Sequence, residues 1–131
     1  MQTTPKYLRD EKQTQEIFTY NIRCCENLPK RGKLLSQPTF YQDGNSLGFI
    51  SVEVNYCNAK DNMALKYSRT GNNIEIREIF DSKKDTGDFC PFDIEGRIDN
   101  LKKGKYNIKW IIEDKYNNKI LGDSDTEFKL K

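Results

Sequence analysis

From Phe49 to Cys57 the chain alternates, with Ile50, Val52, Val54 and Tyr56 on one parity and Ser51, Glu53 and Asn55 on the other. A period of two is the mark of a strand with one buried face. The same rhythm recurs in Phe18, Tyr20, Ile22 and Cys24, in Phe92, Ile94, Gly96 and Ile98, and in Tyr106, Ile108, Trp110 and Ile112. Shorter alternating runs at Leu65–Arg69 and Ile74–Arg77 flank Thr70-Gly71-Asn72-Asn73, whose glycine and asparagines accept the positive φ of a tight hairpin. Leu34 to Tyr41 reads as a weak edge or bend because of Pro38. Ile120, Leu121, Phe128 and Leu130 mark a last, interrupted strand after the Asn117-Asn118 turn.

About seven short strands, separated by turn residues and without a convincing helix, predict an all-β fold. The expected architecture is a single antiparallel two-sheet sandwich over 16–131, preceded by a flexible polar leader at 1–15. Alternation assigns Ile50, Val52, Val54, Phe92, Ile94, Ile108, Trp110 and Ile112 to a common interior. Gly96 lies on an apolar strand face, where a glycine admits something bulky, and Trp110 is the expected filler.

Leu101-Lys-Lys-Gly104-Lys-Tyr106 then stands out, with Leu101, Gly104 and Tyr106 as a structural corner. The glycine makes the bend, and the tyrosine opens a strand while its hydroxyl bonds back to the backbone near Asn100 or Leu101. This corner, the inward Phe92/Ile94/Ile98 and the following Trp110 resemble the fibronectin type III and immunoglobulin-like sandwich modules. More narrowly, Cys90-Pro-Phe-Asp-Ile94 running into Asn100-Leu-x-x-Gly-x-Tyr106 resembles small envelope or lipoprotein modules of Bacteroides-type bacteria. The likeness covers about residues 49–130 and implies an immunoglobulin-like fold. It implies no active site, and the tryptophan follows the corner instead of lying on an earlier strand.

Charge narrows the function further. Lys plus Arg is 22 and Asp plus Glu is 20, a net charge of +2. The two signs are interleaved, as in Glu75-Ile-Arg77-Glu78, so the basic face of a nucleic-acid binder is not expected. Met1-Gln-Thr-Thr-Pro-Lys lacks an apolar h-region. A start of this polarity suits a tether, so the expected setting is extracytoplasmic, secreted or on the cell envelope, behind a removed N-terminal lipid anchor or signal. Four cysteines agree with that. Cys57 and Cys90 close and open strong strands and form the candidate disulfide, with Cys24 or Cys25 to one of them as the competing pair.

The chain has no histidine, which removes Ser-His-Asp and Cys-His catalysis and His-based zinc hydrolysis. Arg23 beside Cys24-Cys25 would favour a thiolate, but a buried or bridged cysteine is the simpler reading. The cysteine spacing does not suit a zinc knuckle. Asp93/Glu95 and Asp123/Asp125 read as exposed acids, and two lysines among Asp81, Asp85 and Asp88 oppose a calcium site. No metal or other cofactor is expected. Phe40, Tyr41, Tyr67 and Tyr116 are candidate ligand-stacking residues. The expectation is therefore a non-enzymatic module that binds protein or builds an envelope assembly. Its alternatives are a carbohydrate-binding module, marked by coplanar exposed aromatics, and a protease inhibitor with a protruding loop.

Overall fold

The computed structural model describes residues 15–24, 38–56, 63–81 and 89–131, the side chains of 24, 53–56 and 89–92 excepted. These residues form eight strands and no helix: β1 (Ile17–Cys24), β2 (Thr39–Asp43), β3 (Ser46–Tyr56), β4 (Met63–Thr70), β5 (Asn73–Phe80), β6 (Phe89–Asp99), β7 (Gly104–Asp114) and β8 (Lys119–Leu130). They build two four-stranded sheets, ordered β1-β6-β3-β2 and β4-β5-β7-β8. The all-β two-sheet sandwich is thus the fold, with eight strands where about seven were expected. The β5–β7 pair runs parallel while every other described pair is antiparallel. Immunoglobulin-type sandwiches are built from antiparallel sheets, so this pair is a specific departure from that pattern.

A chain of rings ties the sheets together. Tyr67 stacks on Phe18 at 5.2 Å, Phe18 on Phe49 at 5.7 Å, and Phe49 meets the edge of Trp110 at 5.5 Å. Phe40 also meets Trp110, edge-on at 6.4 Å. Offset and edge-on aromatic pairs add about 0.5–1.5 kcal/mol each beyond the area they bury. Ile74, Ile76, Ile94, Ile98 and Ile108 pack around these rings.

The expected interior holds for Ile94, Ile108, Trp110 and Ile112, all buried. It fails on β3. Leu47 and Phe49 face inward there, Ile50 is half-buried and Val52 is 36% exposed. Both parities of β3 carry apolar residues, and the larger Leu47 and Phe49 take the core. The side chains of Val54 and Phe92 lie outside the description. Gly96 also has a different neighbour from the expected one. It pairs with Phe49 on β3 and Tyr20 on β1, and Phe49, not Trp110, fills its gap. A Cβ at Gly96 would stand 2.6 Å from Phe49 Cζ and 2.9 Å from Tyr20 Cα, and would also run into the Thr19 carbonyl.

The corner forms as read from the sequence. Leu101 and Tyr106 are buried, and the Tyr106 hydroxyl donates to the Lys102 carbonyl at 2.5 Å, one residue beyond the expected acceptor. Gly104 has φ 153°, where a side chain would be strained, and Asn100 takes φ 68°. Asn72 buttresses the bend, its backbone carbonyl accepting from Asn107 N at 2.9 Å and its side chain donating to Lys105 O at 2.8 Å. Burial raises the Tyr106 phenol above its ordinary pKa.

Both flanks of the sandwich are latched. On one, the Glu16 carboxylate accepts hydrogen bonds from the Tyr67 hydroxyl and from Arg69, whose Nε stands at 2.7 Å. On the other, the Gln42 amide exchanges two bonds with the backbone of Lys131, at 2.7 and 2.9 Å.

Candidate binding surface

The strand directions sort the connections between the two ends of the sandwich. The turns at Gly44–Asn45 and Gly71–Asn72 and the Tyr106 corner lie at one end, with φ 61° at both turn glycines. The connections from β1 to β2, β3 to β4 and β5 to β6 all leave from the opposite end, together with the β7–β8 turn. Rigid scaffolds commonly carry binding residues on such a loop end.

Of that end the structure describes the β7–β8 tip. Asp114, buried at the end of β7, accepts from Tyr116 N at 3.1 Å and from the Asn117 amide at 2.7 Å. An acidic side chain holding the following backbone in this way fixes a turn. Asn118 supplies the left-handed residue at φ 52°, and Lys115 N donates to Phe80 O at 2.8 Å, tying the tip to β5. The β8 register then slips: Ile112 pairs with Gly122 but Glu113 with Ile120, leaving Leu121 as the extra residue of a bulge. Bulges re-aim side chains. The result is an apolar tip, with Tyr116 58%, Ile120 57% and Leu121 45% exposed, Tyr116 lying between the exposed Lys115 and Lys119 and the other two directly after Lys119. Sequence reading placed Ile120 and Leu121 with Phe128 and Leu130 in one strand. Leu121 is on the outward parity of β8 in any register, whereas Ile120 shares the parity of the buried Leu130 and is exposed beyond the slip in the ladder.

The four candidate stacking residues do not share a face. Phe40 packs into the core against Trp110, and Tyr67 is half-buried against Phe18. Tyr116 stands at the tip. Tyr41 lies on the outer face of the first sheet over Gly48, where a Cβ would come within 2.5 Å of its ring. Beside it runs a shallow groove of about 410 Å³ lined by Thr19, Asn21, Glu95 and Arg97. One exposed tyrosine over a glycine makes a small platform, not the coplanar set that a sugar face uses.

The expected chemistry is distributed as follows. Asp93 is not an exposed acid but is buried and gripped by Arg23, whose Nε and Nη2 donate to its two oxygens at 3.0 and 2.7 Å. That guanidinium is therefore engaged by a carboxylate and not reserved for a neighbouring thiol. Cys25 and Cys57 lie outside the described residues, as do the side chains of Cys24 and Cys90, and so does the Cys57–Cys90 bridge. Asp85 and Asp88 are outside them as well. Among the described residues no three potential metal ligands cluster.

One functional-looking group escaped the sequence reading. Glu78 is buried in the core, where its Oε1 accepts the Trp110 indole N–H at 3.0 Å. The signal was present, since Glu78 follows Ile74 and Ile76 on the inward parity of β5. Comparison of the chain with family models, with curated proteins and with solved structures finds no match.

Proposed function

We propose that the chain is a non-enzymatic, extracytoplasmic module of a bacterial cell envelope that binds another protein through the loop end of its sandwich. One observation carries this reading: Tyr116, on the turn fixed by Asp114, and Ile120 and Leu121, at the start of β8 directly after it, stand out into solvent. Exposed apolar residues on a rigid hairpin lose little freedom on docking, which favours affinity. Aromatic and branched aliphatic anchors are the residues that fill a partner's pockets. The lack of histidine supports the non-catalytic part of the reading, and the four cysteines support the extracytoplasmic part. The dispersal of Phe40, Tyr41, Tyr67 and Tyr116 favours a protein partner over a carbohydrate.

A photoreactive amino acid in place of Leu121, set against one in place of the exposed Ser68 on the outer face of β4, tests the proposal in the native host. A discrete protein adduct from position 121 alone, lost when Ile120→Ser is added, is the expected result. Equal, diffuse labelling from both positions would overturn the partner. Recovery of the untagged protein in the cytoplasmic fraction would overturn the envelope setting.

A further inference from the structure

An edge strand exposes a row of unpaired backbone donors and acceptors, and stable monomers protect their edges with charge, proline, bulges or brevity. Among the described residues, three of the four sheet edges are protected. β8 carries Asp123, Asp125 and Glu127 outward and is bulged at Leu121. β2 is five residues long, follows Pro38 and has Gln42 engaged with Lys131. β4 bears the exposed Lys66. β1 differs. Its run Ile17-Phe-Thr-Tyr-Asn-Ile22 contains no charge, no proline and no bulge, and its one cation, Arg23, is taken up by Asp93.

We infer that β1 is a self-association edge, pairing antiparallel with β1 of a second copy to join the two first sheets into one. A two-fold axis normal to the sheet keeps both interiors on the same side only when the register is centred on a residue, because side chains alternate faces along a strand. Centring on Tyr20 pairs all of Ile17 to Arg23. It sets Tyr20 against its own copy, Phe18 against Ile22, Thr19 against Asn21 and Ile17 against Arg23. No like charges oppose each other in this arrangement. β8 set against itself about Asp125 would instead oppose Asp123 to Glu127 and Asp125 to its own copy, a destabilising pairing. Ile17 and Tyr20, the exposed apolar residues of the strand, are covered in the dimer. This edge is separate from the β7–β8 tip, so it stands or falls independently of the proposed partner.

The two-fold supplies a sharp test, because position 20 meets itself. Sedimentation of the full chain over a wide dilution series is expected to show a monomer–dimer equilibrium. Tyr20→Lys and Tyr20→Glu, each checked for an unchanged β-sheet spectrum, are each expected to be monomeric. Mixed in equal amounts they are expected to restore the dimer, which no general damage to the fold would do. A wild-type chain that stays monomeric throughout overturns the inference. So does a dimer that survives both single charges, or a mixture that stays monomeric.

Discussion

The indole N–H of Trp110 is bonded to the carboxylate of Glu78 at 3.0 Å, with both side chains shut off from solvent between the sheets. A buried donor and acceptor fix each other's position, and removing one exposes the other to the full cost of desolvation. Trp110 on β7 and Glu78 on β5 thereby pin the parallel pair of the second sheet.

Two substitutions separate packing from hydrogen bonding at that site. Trp110→Ala is expected to destabilise by about 3–5 kcal/mol as a large-to-small change in the core. Trp110→Phe keeps much of the ring contact with Phe49 and Phe40 but removes the donor, and is expected to cost about 1–3 kcal/mol. Denaturant midpoints at unchanged m-value are the measurement. A Trp110→Phe chain as stable as wild type would show that the bond to Glu78 contributes nothing net.

Gly96 and Gly48 make a matched pair of tests. A methyl at Gly96 meets the Thr19 carbonyl and Tyr20 Cα, which are backbone atoms of β1 and cannot step aside without moving the strand. Gly96→Ala is expected to destabilise by about 1–3 kcal/mol or more, as overpacking does. At Gly48 the obstacle is only the exposed Tyr41 ring, which can rotate away, so Gly48→Ala is expected to shift the melting temperature far less. Equal losses at the two positions would contradict the close approach of β1 to β6.

Stability should depend on pH at both extremes through the latch at Glu16. Hydrogen bonding from Arg69, opposed by burial and aided by Tyr67, holds the Glu16 carboxyl below its ordinary pKa. A depressed carboxyl contributes stability that is complete above the unfolded value of about 4.3 and is lost as pH falls through the folded value. Burial, then the Glu16 partner, raises the Tyr67 phenol, so its contribution is complete below about pH 10 and is lost as pH rises beyond. Glu16→Gln is expected to flatten the acid limb of a stability–pH profile and Tyr67→Phe to weaken the alkaline one. An acid limb unchanged by Glu16→Gln would place the acid sensitivity elsewhere.

What could be read from the residues depended on whether the cause was local. β7 was legible because its inward set is apolar at every second place from Tyr106 to Ile112, and the corner was legible because Gly104 and Tyr106 each have one strong conformational reason to be there. β3 was not, because Leu47 and Phe49 on one parity compete with Ile50 and Val52 on the other. The choice is made across the sheet, where Gly96 leaves room for the Phe49 ring. Glu78 was masked by its charge, though its parity was plain. The parallel course of β5 beside β7 is a matter of topology that strand periodicity does not carry. The outward turn of Ile120 depends on a one-residue slip in a ladder, which no pattern along β8 alone encodes.

That tip allows binding and folding to be tested apart. Ile120 and Leu121 are largely in solvent, so Ile120→Ser with Leu121→Ser is expected to leave the melting temperature within a few degrees of wild type, as surface changes within about ±0.5 kcal/mol each do. Asp114→Ala removes the carboxylate that holds Tyr116 N and the Asn117 amide, and is expected to destabilise by about 1–3 kcal/mol. It also frees the turn, so the rigid presentation of Ile120 is lost along with some stability. If the tip is a docking element, the serine pair abolishes the adduct formed from a photoreactive residue at Tyr116 while leaving the fold intact. Asp114→Ala weakens that adduct and the fold together. A serine pair that unfolds the chain would instead make Ile120 and Leu121 structural, and the reading of the tip as a docking element would be lost.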